Sequence, residues 1–421
     1  MSISESITEV RSYLFFLPSG ICAPPDKYHI TILYLSCSNF CKRHAKNIST
    51  NGLNTAFMLR LYTPGRILFG HRTFERASEE CDLIVVSPSI KTKIVQRIEK
   101  DAEIIEFKRS SKTGEPLEQD VYNLKDVLEE LESKSVAAVG GGSVIDATKL
   151  ALVLMFSNGI DLKTMYARGV PNIKRKIDLI GVETTAGTGT GISAAAVVID
   201  DEEVKHGLVG EALICDRAIY DPSLVISMSR ETAAYSSMDA LTHAIEAYTS
   251  TIENMPADTM ALKAVELAGK NIVKAVSGDE KSREMMHYAN MMAAIGFANS
   301  RLGICHALSH KIGGRFNIPH GKINAMLLPH IISFNSTATN RYNDIAHVLG
   351  LKTPQDVVEW IEKINKEIGI PSLATLGEEF YEMIPQIARE TESDGLMRTN
   401  PRKAKAEEIE KFLKESFEKD A

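Results

Sequence analysis

Cysteine is scarce. Six residues in 421 are too few for a disulfide scaffold and fit a reducing compartment. No apolar run approaches the ~18–20 residues needed to span a bilayer, so no membrane segment is expected. Glu5 and Glu9 stand where a secretion signal needs positive charge, and the expected location is the cytoplasm. Basic residues are not in excess: 48 Lys and Arg face 55 Asp and Glu, a net charge of −7, which argues against a nucleic-acid partner. What is present is a globular composition, 44% hydrophobic and 24% charged, over a length that suggests more than one domain.

Three regions differ in texture. Residues 1–61 hold Cys22, Cys37 and Cys41 without sustained periodicity and read as an irregular extension. Cys37 and Cys41 have no second Cys/His pair at zinc-site spacing. Residues 62–229 alternate short apolar runs with amphipathic ones. Strands are expected at Leu83–Val86, Ile104–Phe107, Val136–Val139, Ile177–Val182, Ala194–Ile199 and Ala218–Tyr220. A helix is expected through Ile90, Ile94 and Ile98, and another through Val121, Leu124, Leu128 and Leu131. Such alternation predicts a mostly parallel, Rossmann-like α/β domain. Residues 230–421 carry helical patterns only: Ser237–Ser250, Met260–Ser277, Glu284–Asn299, His306–Gly313, Ile323–Ile332, Pro354–Ile368 and Lys405–Ser416. The expected site is the cleft between the two parts.

Gly140, Gly141 and Gly142 follow an apolar strand and precede Ser143, which is placed to cap a helix whose N-terminus favours phosphate. A second loop, Glu183 to Gly191, is rich in threonine and glycine and also follows a strand. Two such loops at parallel strand ends suit a dinucleotide; each alone is also an ordinary tight connection. In the helical part, Asp239 and His243 are four apart on one helix face, and His306 and His310 repeat that spacing. Gly313 and Gly314 are expected to end the second helix and let His320 fold back. Asp239, His243, His306 and His320 make a carboxylate-plus-imidazole set suited to Fe²⁺ or Zn²⁺. The alternative is a group of buried core histidines. Seven of the eleven histidines fall in this part (243, 287, 306, 310, 320, 330 and 347); His287 and His347 carry no partner spacing, and His330 reads as a structural residue starting a helix.

Together the segments Val139–Lys149, Thr184–Gly189, Met238–Glu246, Gly303–His310, Ile318–Gly321, Leu327–His330 and Asn400–Arg402 resemble the iron-containing (group III) alcohol dehydrogenase family. The resemblance runs from about Tyr62 to the C-terminus. It implies a dehydroquinate-synthase-like architecture: an α/β dinucleotide-binding domain, then an all-α metal-binding domain. It also implies hydride transfer between NAD or NADP and a small alcohol or aldehyde, by a homo-oligomer, in the simplest case a dimer. Asp239, His243, His306 and His320 become metal ligands by resemblance, and His310 assists proton transfer. Gly140, Gly141, Gly142 and Ser143 match the pyrophosphate loop; Thr184, Thr185 and Thr188 match cofactor-contacting threonines. Asp146 is read as partly structural, and Lys205 as a weaker cofactor candidate.

The chain departs from the family at two places. The usual Pro-Thr-Thr-Ala-Gly-Thr-Gly-Ser-Glu has Glu183 for its proline, Thr190 for its serine and Gly191 for its glutamate. Ser87 stands where many members place an aspartate that disfavours a 2′-phosphate, with Lys91 and Lys93 nearby, so NADP becomes admissible. The competing readings are a glycerol or glycerol-phosphate dehydrogenase, a dehydroquinate-synthase-like lyase, a maleylacetate reductase, or a catalytically silent binding protein on this fold. The retained ligand set argues against the last, since an unpaired buried carboxylate destabilises a core.

Overall fold

The computed structural model describes residues 60–98, 102–111, 114–131 and 133–421. The N-terminal cysteines Cys22, Cys37 and Cys41 lie outside these residues. The first part runs β1 (Arg66–Phe69), α1 (Thr73–Ser78), β2 (Leu83–Val86), α2 (Lys91–Val95), β3 (Glu103–Glu106), α3 (Glu118–Glu130), β4 (Ser135–Gly140), α4 (Gly142–Phe156) and α5 (Leu162–Arg168). It closes with β5 (Asp178–Glu183), β6 (Ala195–Ile199), β7 (Lys205–Val209) and β8 (Arg217–Tyr220). Six strands form one parallel sheet in the order β1-β8-β5-β4-β2-β3. Alternate residues face opposite sides. Leu83, Val85, Val136, Ala138 and Leu179 pack under α3 and α4, while Ile84, Val86, Ala137, Val139, Ile180 and Val182 pack against Phe74 and Ile94. Burial on both faces explains why the central strands are unbroken apolar runs.

Three expectations change here. The strand read at Ala194–Ile199 is no member of the main sheet: β6 pairs antiparallel with β7 in a separate hairpin. β1 was not anticipated, because an edge strand with an exposed-to-intermediate burial pattern needs no apolar run. Ser143 does not cap α4; Gly141 occupies that position, no side chain caps it, and Ser143 is inside the first turn.

The helical part comprises α6 (Arg230–Thr249), α7 (Met255–Val276), α8 (Glu280–Ser300), α9 (Ile304–Phe316), α10 (His320–Asn335), α11 (Arg341–Val348), α12 (Pro354–Ile368), α13 (Gly377–Glu392) and α14 (Ala406–Asp420). Among the described residues, no helix is long and apolar enough to cross a membrane. Gly313 and Gly314 do not end α9, which continues to Phe316 and stops on left-handed Asn317, φ 52°. His330 lies well inside α10 rather than at a helix start. Pro329 is tolerated there because the Ala325 carbonyl, which a proline four residues on cannot serve, accepts from Asn365 Nδ2 at 2.7 Å.

Candidate metal centre and dinucleotide cleft

Two helices and a turn bring four distant residues together. α6 presents Asp239 and His243 on one buried face, α9 carries His306, and His320 is the first residue of α10. Glycine makes the last approach possible: a Cβ at Gly321 would stand 2.1 Å from the Tyr235 carbonyl oxygen. One oxygen of Asp239 lies 4.0 Å from His243 Nε2, 3.8 Å from His306 Nε2 and 3.6 Å from His320 Nε2. The four ligand atoms all lie within 4.8 Å of one another.

A surrounding shell orients these atoms. His306 Nδ1 meets Glu246 Oε2 at 2.6 Å, which turns Nε2 inward, and Glu246 Oε1 accepts from the Cys305 N–H at 2.7 Å. The Asn400 side chain accepts from the Ile304 N–H at 3.1 Å, so two distant groups satisfy the free start of α9. Asn324 Nδ2 donates to Asp239 Oδ1 at 2.8 Å. His243 Nδ1 meets the Gly187 carbonyl at 3.2 Å, tying the centre to the loop after β5.

The electrostatics fit a cation. Burial pushes the His243 imidazole down to about 4 and His320 down to about 3, so both offer neutral lone pairs. Burial raises the Asp239 carboxyl, but His243, His320 and His306 outweigh it and hold it well below the usual carboxylate range. Burial also opposes charge on His306, yet Asp239 and Glu246 raise it to about 9. A position among these atoms favours positive charge, and the donor set suits Fe²⁺ or Zn²⁺. His310, one turn beyond His306, has its ring centroid 5.1 Å from that of His320; enclosure holds it well below its ordinary value.

The glycine turn lies at the carboxyl edge of the sheet. Gly140 closes β4, and its carbonyl accepts from the Thr184 N–H at 3.1 Å, joining both loops. Cβ atoms added at Gly141 and Gly142 would meet Thr185 Cγ2 at 3.2 Å and Thr188 Cγ2 at 3.0 Å. The hydroxyls of Thr185 and Thr188 are buried with no partner among the described residues, as groups awaiting a polar ligand are. Ser87 follows β2, its Cβ 3.4 Å from a Cβ placed on Gly140.

Other candidates are placed differently. The Asp146 carboxyl is used internally, accepting from Thr190 Oγ1 at 2.5 Å and from the Val197 N–H at 3.1 Å. Lys91 is paired with Glu106 at 2.9 Å, and Lys93 donates to the Ser223 carbonyl, so neither is free beside Ser87. Lys205, on β7, pairs with Glu115 at 2.7 Å and reaches Gly313 and Gly314 of α9. Glu246 and Asn324 were missed by the sequence reading. Their signal was helical spacing: Glu246 is seven residues after Asp239, and Asn324 four after His320.

The chain matches the family description "Iron-containing alcohol dehydrogenase" over residues 64–222 and "Fe-containing alcohol dehydrogenase family, C-terminal" over 233–417. An alcohol dehydrogenase of Thermococcus barophilus is 38% identical over 316 residues, 72% of this chain and 82% of that protein. An NADPH-dependent butanol dehydrogenase of Clostridium saccharobutylicum is 34% identical, covering 71% and 80%. Among solved structures, the iron-containing alcohol dehydrogenase of Thermococcus thioreducens superposes with a TM-score of 0.77 at 33% identity, covering 86% of this chain and all of that one. A 1,3-propanediol oxidoreductase gives 0.78 at 28% identity, again covering 86% of this chain and all of the other. By sequence, fold and matched segments, this chain belongs to the iron-containing alcohol dehydrogenase family.

Proposed function

We propose that the protein is a metal-dependent alcohol dehydrogenase and aldehyde reductase acting on a small alcohol or aldehyde with NAD(H) or NADP(H). The observation that carries this reading is the clustering of four ligand atoms within 4.8 Å, joined through His243 to the carbonyl of Gly187 in the threonine-rich loop. Residues 62–229 act as the dinucleotide-binding domain and 230–421 as the metal-binding domain, in a cytoplasmic homo-oligomer. A divalent iron or zinc ion held there would supply Lewis acidity toward an alcohol or carbonyl oxygen, and a bound nicotinamide would supply the hydride acceptor or donor.

The chain's own residues supply position. Asp239, His243, His306 and His320 hold the ion, Glu246 fixes the His306 ring, and Asn324 fixes the Asp239 carboxyl. The Gly140–Gly142 turn and the first turn of α4 receive the pyrophosphate, where free backbone N–H groups meet negative charge. Thr184, Thr185 and Thr188 face the same turn. His310, kept neutral by its enclosure, takes up or returns the alcohol proton through an imidazole nitrogen.

The decisive experiment combines metal analysis of the purified protein with NAD(P)-linked oxidation of short alcohols and reduction of the matching aldehydes. One bound divalent ion and cofactor-dependent turnover are expected. A protein that binds neither metal nor either dinucleotide would instead be a silent member of the fold.

A further inference from the structure

We propose that Glu183 is a positioning residue for the cofactor loop, fastening the far end of the Thr184–Gly191 segment from beneath. The inference rests on the reading that this loop receives a dinucleotide. Glu183 is the last residue of β5, paired in register with Gly140, and is fully buried. Its Oε1 accepts from the Gly191 N–H at 2.7 Å. The loop is thus fixed at both ends: Thr184 N–H on the Gly140 carbonyl, Gly191 N–H on the Glu183 carboxyl. Thr185 and Thr188 lie on the span between.

Lys149 holds the far end of the same segment from α4. Its fully buried amine donates to the carbonyls of Thr190 (2.5 Å), Ser193 (2.8 Å) and Ala195 (2.9 Å), which ties the end of the loop and the stretch leading into β6 to α4. Glu183 and Asp146 are the carboxyls whose fields reach it.

The geometry also explains the departure from the family pattern, in which the proline and the glutamate stand at positions 183 and 191. A Cβ added at Gly191 would lie 3.4 Å from both Cγ and Oε1 of Glu183. Gly191 does not have a positive φ, so a side chain is admissible there. Side chains from 183 and 191 therefore address one space, and the carboxyl has moved from one end of the loop to the other.

A double-mutant cycle tests this, using wild type, Glu183→Ala, Gly191→Glu, the double variant, and Glu183→Gln. The readouts are NADH and NADPH binding by nicotinamide fluorescence, the KM-against-kcat split, and urea midpoints. Glu183→Ala is expected to weaken cofactor binding and raise its KM about ten- to hundredfold, the scale of a lost buried hydrogen bond to a charged group. Its kcat stays within about threefold, because the reacting groups are untouched. Glu183→Gln, which keeps an oxygen for the Gly191 N–H, and the double variant, which returns a carboxyl, should both bind within about threefold of wild type. A double variant that is unfolded, or that binds no better than the weaker single variant, overturns the proposal; so does unchanged binding in Glu183→Ala. Wild type that binds neither dinucleotide overturns the functional reading instead. In that case strictly additive urea midpoints across the cycle also overturn the loop fastening.

Discussion

His243 Nδ1 stands 3.2 Å from the carbonyl oxygen of Gly187, so a residue of the candidate metal centre holds the backbone of the threonine-rich loop after β5. The contact crosses from the helical part to the α/β part. It fixes the ring so that Nε2, not Nδ1, turns toward Asp239. On the proposed ligand assignment, metal occupancy and loop position would be coupled through one imidazole.

Removing His306 or His320 should abolish both metal and turnover. With either replaced by alanine, three donors remain, and Asp239 is left as a buried carboxylate with less compensation. Metal content and activity of His306→Ala and His320→Ala check this. Full activity with the ion retained would remove that residue from the ligand set.

Glu246 acts through His306. Glu246→Gln keeps an oxygen for the Cys305 N–H but weakens the charge-assisted contact to His306 Nδ1. Metal affinity should fall about 10–100-fold, as for other outer-shell partners of ligating histidines. Competition with a chelating dye measures it; unchanged affinity would make Glu246 only a helix-start anchor.

His310→Ala should behave in the opposite way. His310 is beside His320 but outside the cluster of ligand atoms. The variant should keep its metal and lose about 10²–10⁴-fold in kcat, the usual range for an acid–base group. Loss of the ion from His310→Ala would make it a ligand.

Much of this site was legible in sequence because helices convert spacing into faces. Asp239 and His243, four apart, needed only helical periodicity to be placed together. The parallel sheet was legible for the same reason: Leu83–Val86 and Val136–Val139 are apolar on both faces because both are covered. What escaped depended on tertiary contact. The end of α9 is set by Asn317 rather than by its glycines, β6 turns back on β7, and Lys91 finds Glu106 instead of the cleft. α13 carried a readable pattern in Phe380, Ile384, Ile387 and Ala388, but Pro385 interrupts it.

Glu183 should give the protein a distinctive pH dependence. Burial pushes its carboxyl up to about 7, against the Gly191 N–H and Lys149, while Asp146 adds to the rise. The unfolded chain releases this proton near the ordinary 4.5, so between about pH 4.5 and 7 the folded state binds more protons. Stability on this account is full at the acidic end and declines as pH rises through that window. Glu183→Gln has no such proton. The stability of wild type relative to Glu183→Gln, from urea midpoints between pH 5 and 8, should fall by about 1–3 kcal/mol. A difference independent of pH would mean that the carboxyl titrates normally.

Cofactor choice is expected to turn on Ser87. It follows β2 at the carboxyl edge, beside the glycine turn, where an aspartate would accept from both ribose hydroxyls and repel a 2′-phosphate. The serine hydroxyl does neither strongly; it is 2.9 Å from the Ser89 hydroxyl. Lys91 is engaged with Glu106, but that pair is partly exposed and weak enough to be reorganised around a phosphate. Lys93 is less available, being directed to the Ser223 carbonyl. NADP(H) should therefore be used at least as well as NAD(H). Ser87→Asp should shift the preference toward NAD by about 1–3 kcal/mol, the scale of a charge-assisted hydrogen bond gained or a phosphate repelled. The comparison is kcat/KM for both cofactors in wild type and variant. A wild type strongly selective for NAD, with a ratio that the aspartate does not move, would place the adenosine ribose away from Ser87.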